Sequence, residues 1–275
     1  MTCHDPKSPL ARFAGGLSLC MALAACSSDS NGSTPGKRVV LHTTMSAEPA
    51  TFTTFTSGFG WDVTLTRAAV ASSAFYYFDG PPPTAHFRPR RPGVGERLAG
   101  WFIGTAWAHP GHYQAGTALG EAIFPDTQTL DLFGSLPLEL PDGDGVTGTY
   151  RSARFVIPSD APSGATLEGH IAIAEGSAER HDGSTGTPIH FRLVADFDDV
   201  SESINNGAVD GCVLDEVTVD DDGTIALEVR PTIWLNLVDF SKIDPGSADS
   251  PTEAHDAGFS QGVTQLSAYR FSYSK

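Results

Sequence analysis

The chain has 275 residues, with 17 Lys and Arg against 33 Asp and Glu, a formal net charge of −16 at pH 7, and 4 cysteines. That balance repels nucleic acid and anionic surfaces and favours solubility or cation capture, so nucleic-acid binding is excluded as a function class. The length suits one domain with a sizeable core, or two small ones.

Residues 1–25 read as a secretory signal, with Lys7 and Arg12 in the n-region and an apolar, small-residue run from Phe13 to Ala25. The run is shorter than the roughly 20 residues a bilayer span needs. It ends in Leu23-Ala24-Ala25-Cys26, which resembles a bacterial lipobox. That resemblance implies cleavage before Cys26, lipidation of Cys26 and attachment to a membrane through the N-terminal lipid. Ser27 rather than Asp after the cysteine points, by the enterobacterial sorting rule, to the outer membrane rather than the inner, with the domain facing the periplasm or the cell surface. Cleavage removes Cys3 and Cys20 and the lipid consumes Cys26, so Cys212 has no partner and a disulfide framework is excluded. Cys212 itself reads as a small buried hydrophobe. Loss of Lys7, Arg12 and Asp5 makes the mature form one charge more negative.

Residues 26–37 read as a flexible polar tether and 38–275 as the folded domain. From Arg38 onward the pattern is β-rich: Val39–Leu41, Val63–Thr66, Phe75–Phe78, Ala153–Ile157 and His170–Ala174. Turn chemistry separates these runs at Asp79-Gly80, Asp142-Gly143-Asp144-Gly145, His181-Asp182-Gly183 and Asp222-Gly223. Two hairpins are expected. One joins 167–179 to 188–197; the other joins 213–219 to 224–229 through Asp220-Asp221-Asp222-Gly223. A short helix is expected after Pro231, where Ile233, Trp234, Leu237 and Val238 recur at helical spacing, and a second helical turn at 115–123. With no alternation of strands and helices, the expected fold is all-β, an antiparallel β-sandwich with one or two short helices.

Gly258-Phe259-Ser260-Gln261-Gly262 matches the nucleophile elbow of α/β-hydrolases, which needs a buried strand before it and an acid and a histidine after it. The preceding segment is polar, and no Asp, Glu or His follows Ser260, so the hydrolase order of nucleophile, acid and histidine is impossible here. The stronger constellation is His109-Pro110-Gly111-His112. Pro and Gly at its centre favour a type II turn, which brings both imidazoles to one loop tip. With a third ligand they can bind a copper or zinc ion; the candidates are His42 or Met45 on the first strand, and His255. The alternative role for His109 and His112 is to hydrogen-bond the turn beside Trp101, Trp107 and Tyr113. His86, His170, His181 and His190 have no assigned role. Asp142/Asp144 and Asp220/Asp221/Asp222 offer oxygens to calcium but lack the twelve-residue EF-hand loop, and read as solvated turns. Arg88, Arg90, Arg91 and Arg97, interleaved with prolines, read as an extended solvated loop or a contact for phosphate groups.

The layout of an opening strand, 61–67, 147–155, 234–240 and a closing Ser267-Ala268-Tyr269-Arg270-Phe271 resembles bacterial periplasmic β-sandwich proteins of the methanobactin-associated copper-binding type. That resemblance implies a copper site and a di-haem peroxidase-like partner, although the family's paired-cysteine pattern is missing here. Two functions are therefore expected of a lipid-anchored domain: a non-enzymatic accessory binding copper or zinc, or a structural lipoprotein binding another envelope protein.

Overall fold

A computed structural model of the chain describes residues 36–81, 116–184, 186–204, 207–244, 247 and 251–275. Their strands are β1 (Arg38–Ala47), β2 (Phe55–Thr56), β3 (Trp61–Phe78), β4 (Ala118–Asp131), β5 (Leu138–Val146), β6 (Gly148–Val156), β7 (Ala172–Arg180), β8 (Ile189–Ala195), β9 (Ala208–Val219), β10 (Gly223–Val229), β11 (Glu253–His255) and β12 (Tyr269–Ser274). Three short α-helices join them, α1 (Phe197–Val200), α2 (Pro231–Trp234) and α3 (Ala257–Val263). No helix among the described residues is long and apolar enough to cross a membrane.

All the strands join one hydrogen-bonded sheet in the order β11-β8-β7-β3-β4-β5-β1-β10-β12-β9-β6, with β2 on the side of β3. The order then closes on itself. Ala74–Phe78 of β3 pairs with β4 on one side and with Val156–Ser152 of β6 on the other. The strands from β3 round to β6 thus form a ring, and closure leaves no free edge within it. β7, β8 and β11 extend outward from the first half of β3.

The length of β3 explains its double duty. Its sequence alternates from Trp61 to Thr66, where one face is solvated, and turns almost continuously buried from Ala68 to Phe78, where both faces are covered. The ring is filled by aromatic side chains: Phe75 meets Phe124, Phe155 and Phe271 at centroid distances of 5.0, 5.6 and 5.3 Å, and Phe155 stacks on Tyr269 at 4.0 Å. Cys212 lies in this core, fully buried, its thiol pushed up to about 12 by burial, as its apolar setting in the sequence suggested.

The all-β class with few short helices holds, and the 167–197 hairpin forms as β7–β8. Pro231 opens α2, as expected. The sheet, however, is mixed, since β1–β10, β12–β9 and β8–β11 run parallel. β9 and β10 do not pair as a hairpin. β12 lies between them, parallel to β9 and antiparallel to β10. Its Tyr273 hydroxyl donates to the Asp221 carbonyl at 3.1 Å, so the acidic turn clasps the inserted strand. Asp142–Gly145 is not a turn but part of β5; small residues are needed there because a Cβ at Gly145 would lie 2.6 Å from the Tyr150 hydroxyl. Residues 118–123 are likewise strand rather than helix, fixed between β3 and β5. Cross-strand pairing overrides the helix preference of Ala, Leu and Glu there.

Candidate metal centre

The extension β3–β7–β8–β11 buries one face in the core and turns the other outward. On the outward face a small apolar cluster of Ala69, Ala71, Leu167, Ile173 and Val194 gives way to a band of charge. Arg192 reaches Glu175 at 2.9 Å, Glu168 at 2.7 Å and Glu253 at 3.2 Å, while Arg67 pairs with Glu175 and Glu168 at 2.9 and 2.8 Å. Glu168 is held below the ordinary carboxyl value by hydrogen bonds from Arg192 first and Arg67 second.

Beyond Glu253 the band ends in a group of imidazoles and carboxylates. Asp196 ends the β8 segment as the N-cap of α1, and Asp199, three residues on, accepts the Asp196 backbone N–H at 2.8 Å. This capping box is what holds the two acids together. His255 closes β11, which runs parallel to β8, and its Nδ1 lies 2.9 Å from Asp199 Oδ2. His170, on the approach to β7, puts Nδ1 2.8 Å from Asp196 Oδ1 and Nε2 3.5 Å from Glu253 Oε2. One donor atom from each of Asp196, Asp199 and His255 lies within 4.8 Å of the other two, a set that can converge on a single cation. Ser203, Asp256 and Ser260 line the adjoining surface depression.

The electrostatics of the His255–Asp199 pair favour its charged form. The Asp199 carboxylate raises the pKa of His255 above its ordinary value, against the opposing effect of burial. For Asp199, burial pushes upward but is outweighed by the Asp196 backbone N–H and by His255, so its carboxyl sits below the ordinary range.

The sequence-derived candidates distribute as follows. His109, His112 and Cys26 lie outside the described residues, as do Trp101, Trp107, Tyr113 and the arginines from 88 to 97. His42 points outward from β1 with Nδ1 3.0 Å from Asp142, whereas Met45 is fully buried on the opposite face, so β1 cannot offer both to one ion. His255 is in the cluster. His170, which carried no role in the sequence, stands beside it. Asp221 and Asp220 pair with Lys37 and Lys275, and Asp222 accepts the Val40 N–H at 2.8 Å, so the acidic turn spends its oxygens on the chain itself. Ser260 sits inside α3 rather than at a strand-to-helix turn, so Gly258–Gly262 is no nucleophile elbow.

Comparison with protein-family models, with curated proteins and with solved structures finds no match.

Proposed function

We propose that the chain is a lipid-anchored bacterial envelope protein whose domain binds a transition-metal ion, copper or zinc, as a non-enzymatic accessory to metal handling. The observation that carries the metal reading is the convergence of Asp196, Asp199 and His255 within 4.8 Å. This set takes over the role first sought in His109, His112, His42 and Met45. A net charge of −16 supports it by raising the local cation concentration. The anchor rests on Leu23-Ala24-Ala25-Cys26, and Ser27 after the cysteine favours the outer membrane over the inner. For the layering of the domain, the closed ring of strands is barrel-like, its interior filled where Phe75 and Tyr77 of β3 meet Phe271 of β12 at 5.3 and 5.9 Å.

The test is calorimetric titration of untagged, chelator-free protein with zinc and with copper(I) or copper(II). Binding tighter than micromolar is expected, weakened at least tenfold by Asp199→Asn combined with His255→Ala. Absence of such binding in the wild type sinks the reading.

A second reading, an interaction lipoprotein with an envelope-protein partner, needs no metal, and one observation is compatible with an empty cluster. Asp196 and Asp199 already have imidazole partners at 2.8 and 2.9 Å, so the cluster is stable as a set of ion pairs. On this reading the double variant loses stability and no metal binds.

A further inference from the structure

We infer that His170 is a fourth ligand of the same centre, which makes the site selective for a borderline transition ion over calcium or magnesium. The inference rests on the metal reading of Asp196, Asp199 and His255 and adds to it.

Three observations lead there. The His170 and His255 rings stand 6.2 Å apart, centroid to centroid, with their planes at 72°. Two imidazoles bound at about 2.1 Å to one tetrahedral ion hold their ring centres roughly 5–6 Å apart, and His170, which lies outside the 4.8 Å group of Asp196, Asp199 and His255, must move toward them for one ion to bind all four. Next, His170 Nδ1 points into the cluster, 2.8 Å from Asp196 Oδ1, as His255 Nδ1 points at Asp199 Oδ2 from the other side. An ion entering between the rings takes the place of the proton that each imidazole now shares with its carboxylate. Finally, the outer nitrogen of His170 faces Glu253 Oε2 at 3.5 Å, and Glu253 is itself held by Arg192 at 3.2 Å. Ligating imidazoles characteristically offer their other N–H to a carboxylate, which fixes the tautomer and turns the free lone pair toward the metal. His170 has Nδ1 hydrogen-bonded to Asp196 at 2.8 Å and Nε2 within ion-pair range of Glu253 at 3.5 Å. Its side chain is only 15% exposed, so the ring is already held in place before any ion arrives.

The donor set becomes two nitrogens and two carboxylate oxygens. Hard cations such as calcium take six to eight oxygens, and magnesium keeps an octahedron of oxygens and waters. Zinc and copper accept imidazole and carboxylate at four-coordinate sites.

The experiment uses the full chain, titrated with zinc chloride alone, with zinc in the presence of a thousandfold excess of calcium, and with cobalt(II) as a spectroscopic substitute. The wild type is expected to hold zinc undisturbed by calcium. His170→Ala and His170→Gln are each expected to weaken zinc binding at least tenfold and to change the visible spectrum of the cobalt-saturated protein. His170→Gln keeps a hydrogen bond to Asp196 and guards against a loss that comes from unfolding alone. If zinc binds the His170→Gln protein as tightly as the wild type with an unchanged cobalt spectrum, His170 is not a ligand, while the three-residue centre stands. If calcium displaces zinc, the assigned ion class is wrong. If the wild type binds no zinc, the parent reading falls and this inference with it.

Discussion

The backbone of Gly262 runs so close to Trp234 that a Cβ there would lie 2.3 Å from the Trp234 carbonyl oxygen, and Gly258 stands in the same relation to the Leu237 carbonyl at 2.2 Å. The two glycines, four residues apart, share one face of α3, and their lack of side chains lets that helix lie directly on α2 and the turn after it. What resembles a catalytic motif is a packing device.

The consequence can be measured by chemical denaturation. Gly258→Ala and Gly262→Ala should each lower stability by about 2–3 kcal/mol, because the obstructing atoms are backbone and cannot rotate away. Ser260→Ala should leave both fold and melting temperature nearly unchanged. Covalent labelling of Ser260 by a fluorophosphonate would contradict this account.

The inserted strand provides a second test. Phe271 is fully buried among Phe75 and Tyr77, so Phe271→Ala should cost about 3–5 kcal/mol in equilibrium unfolding. Arg270, its neighbour on the solvent side, makes only an exposed pair with Asp215, and Arg270→Ala should leave the melting temperature where it is. Equal effects from the two would mean that β12 is not seated as described.

Acid stability should reveal the charge band. The Glu168 carboxyl lies below its ordinary value of 4.5 because Arg192, then Arg67, donate to it. A folded-state value depressed below the unfolded one contributes stability above about pH 4.5 that disappears as pH falls through the folded value. Arg192→Met should therefore flatten the loss of stability on acidification below about pH 5. At neutral pH the same change should cost about 1–2 kcal/mol, between an exposed pair and a buried one, since Glu168 and Glu253 are about two-fifths exposed and Arg67 still reaches Glu168 and Glu175. An unaltered pH profile would show that Arg192 is not what holds Glu168.

Processing is the fourth prediction. Mass spectrometry of the membrane fraction should find a mature chain that starts at a lipid-modified Cys26, and Cys26→Ala should remain uncleaved or lose stable membrane association. A soluble wild-type protein with an unmodified N-terminus would end the anchor reading.

Much of the strand content is legible locally. Val39–Leu41, the two halves of β3 and Phe155 carry their β pattern within a few residues, and Pro231 announces the first turn of α2. The errors arise where a distant partner decides. Gly143 and Gly145 look like turn residues until Leu41 and Tyr150 are brought against them, and 213–219 looks like the arm of a hairpin until β12 takes the place beside it. The candidate centre was half visible: His255 stood out as a possible ligand. The spacing of Asp196 and Asp199 is a capping box that sequence alone could have flagged. His170 followed from the expected hairpin of 167–179 with 188–197, whose register sets it beside Asp196, but a lone histidine near a strand end carried no sign of a ligand role.

The position of β12 also bears on when this molecule can fold. A polypeptide is made from its N-terminus onward, so β9 and β10 both emerge before the strand that lies between them. Until residues 269–274 arrive, the two present a slot lined with unsatisfied backbone donors and acceptors, open to any extended peptide nearby. The link from β9 to β10 across the ring therefore waits for residues 269–274.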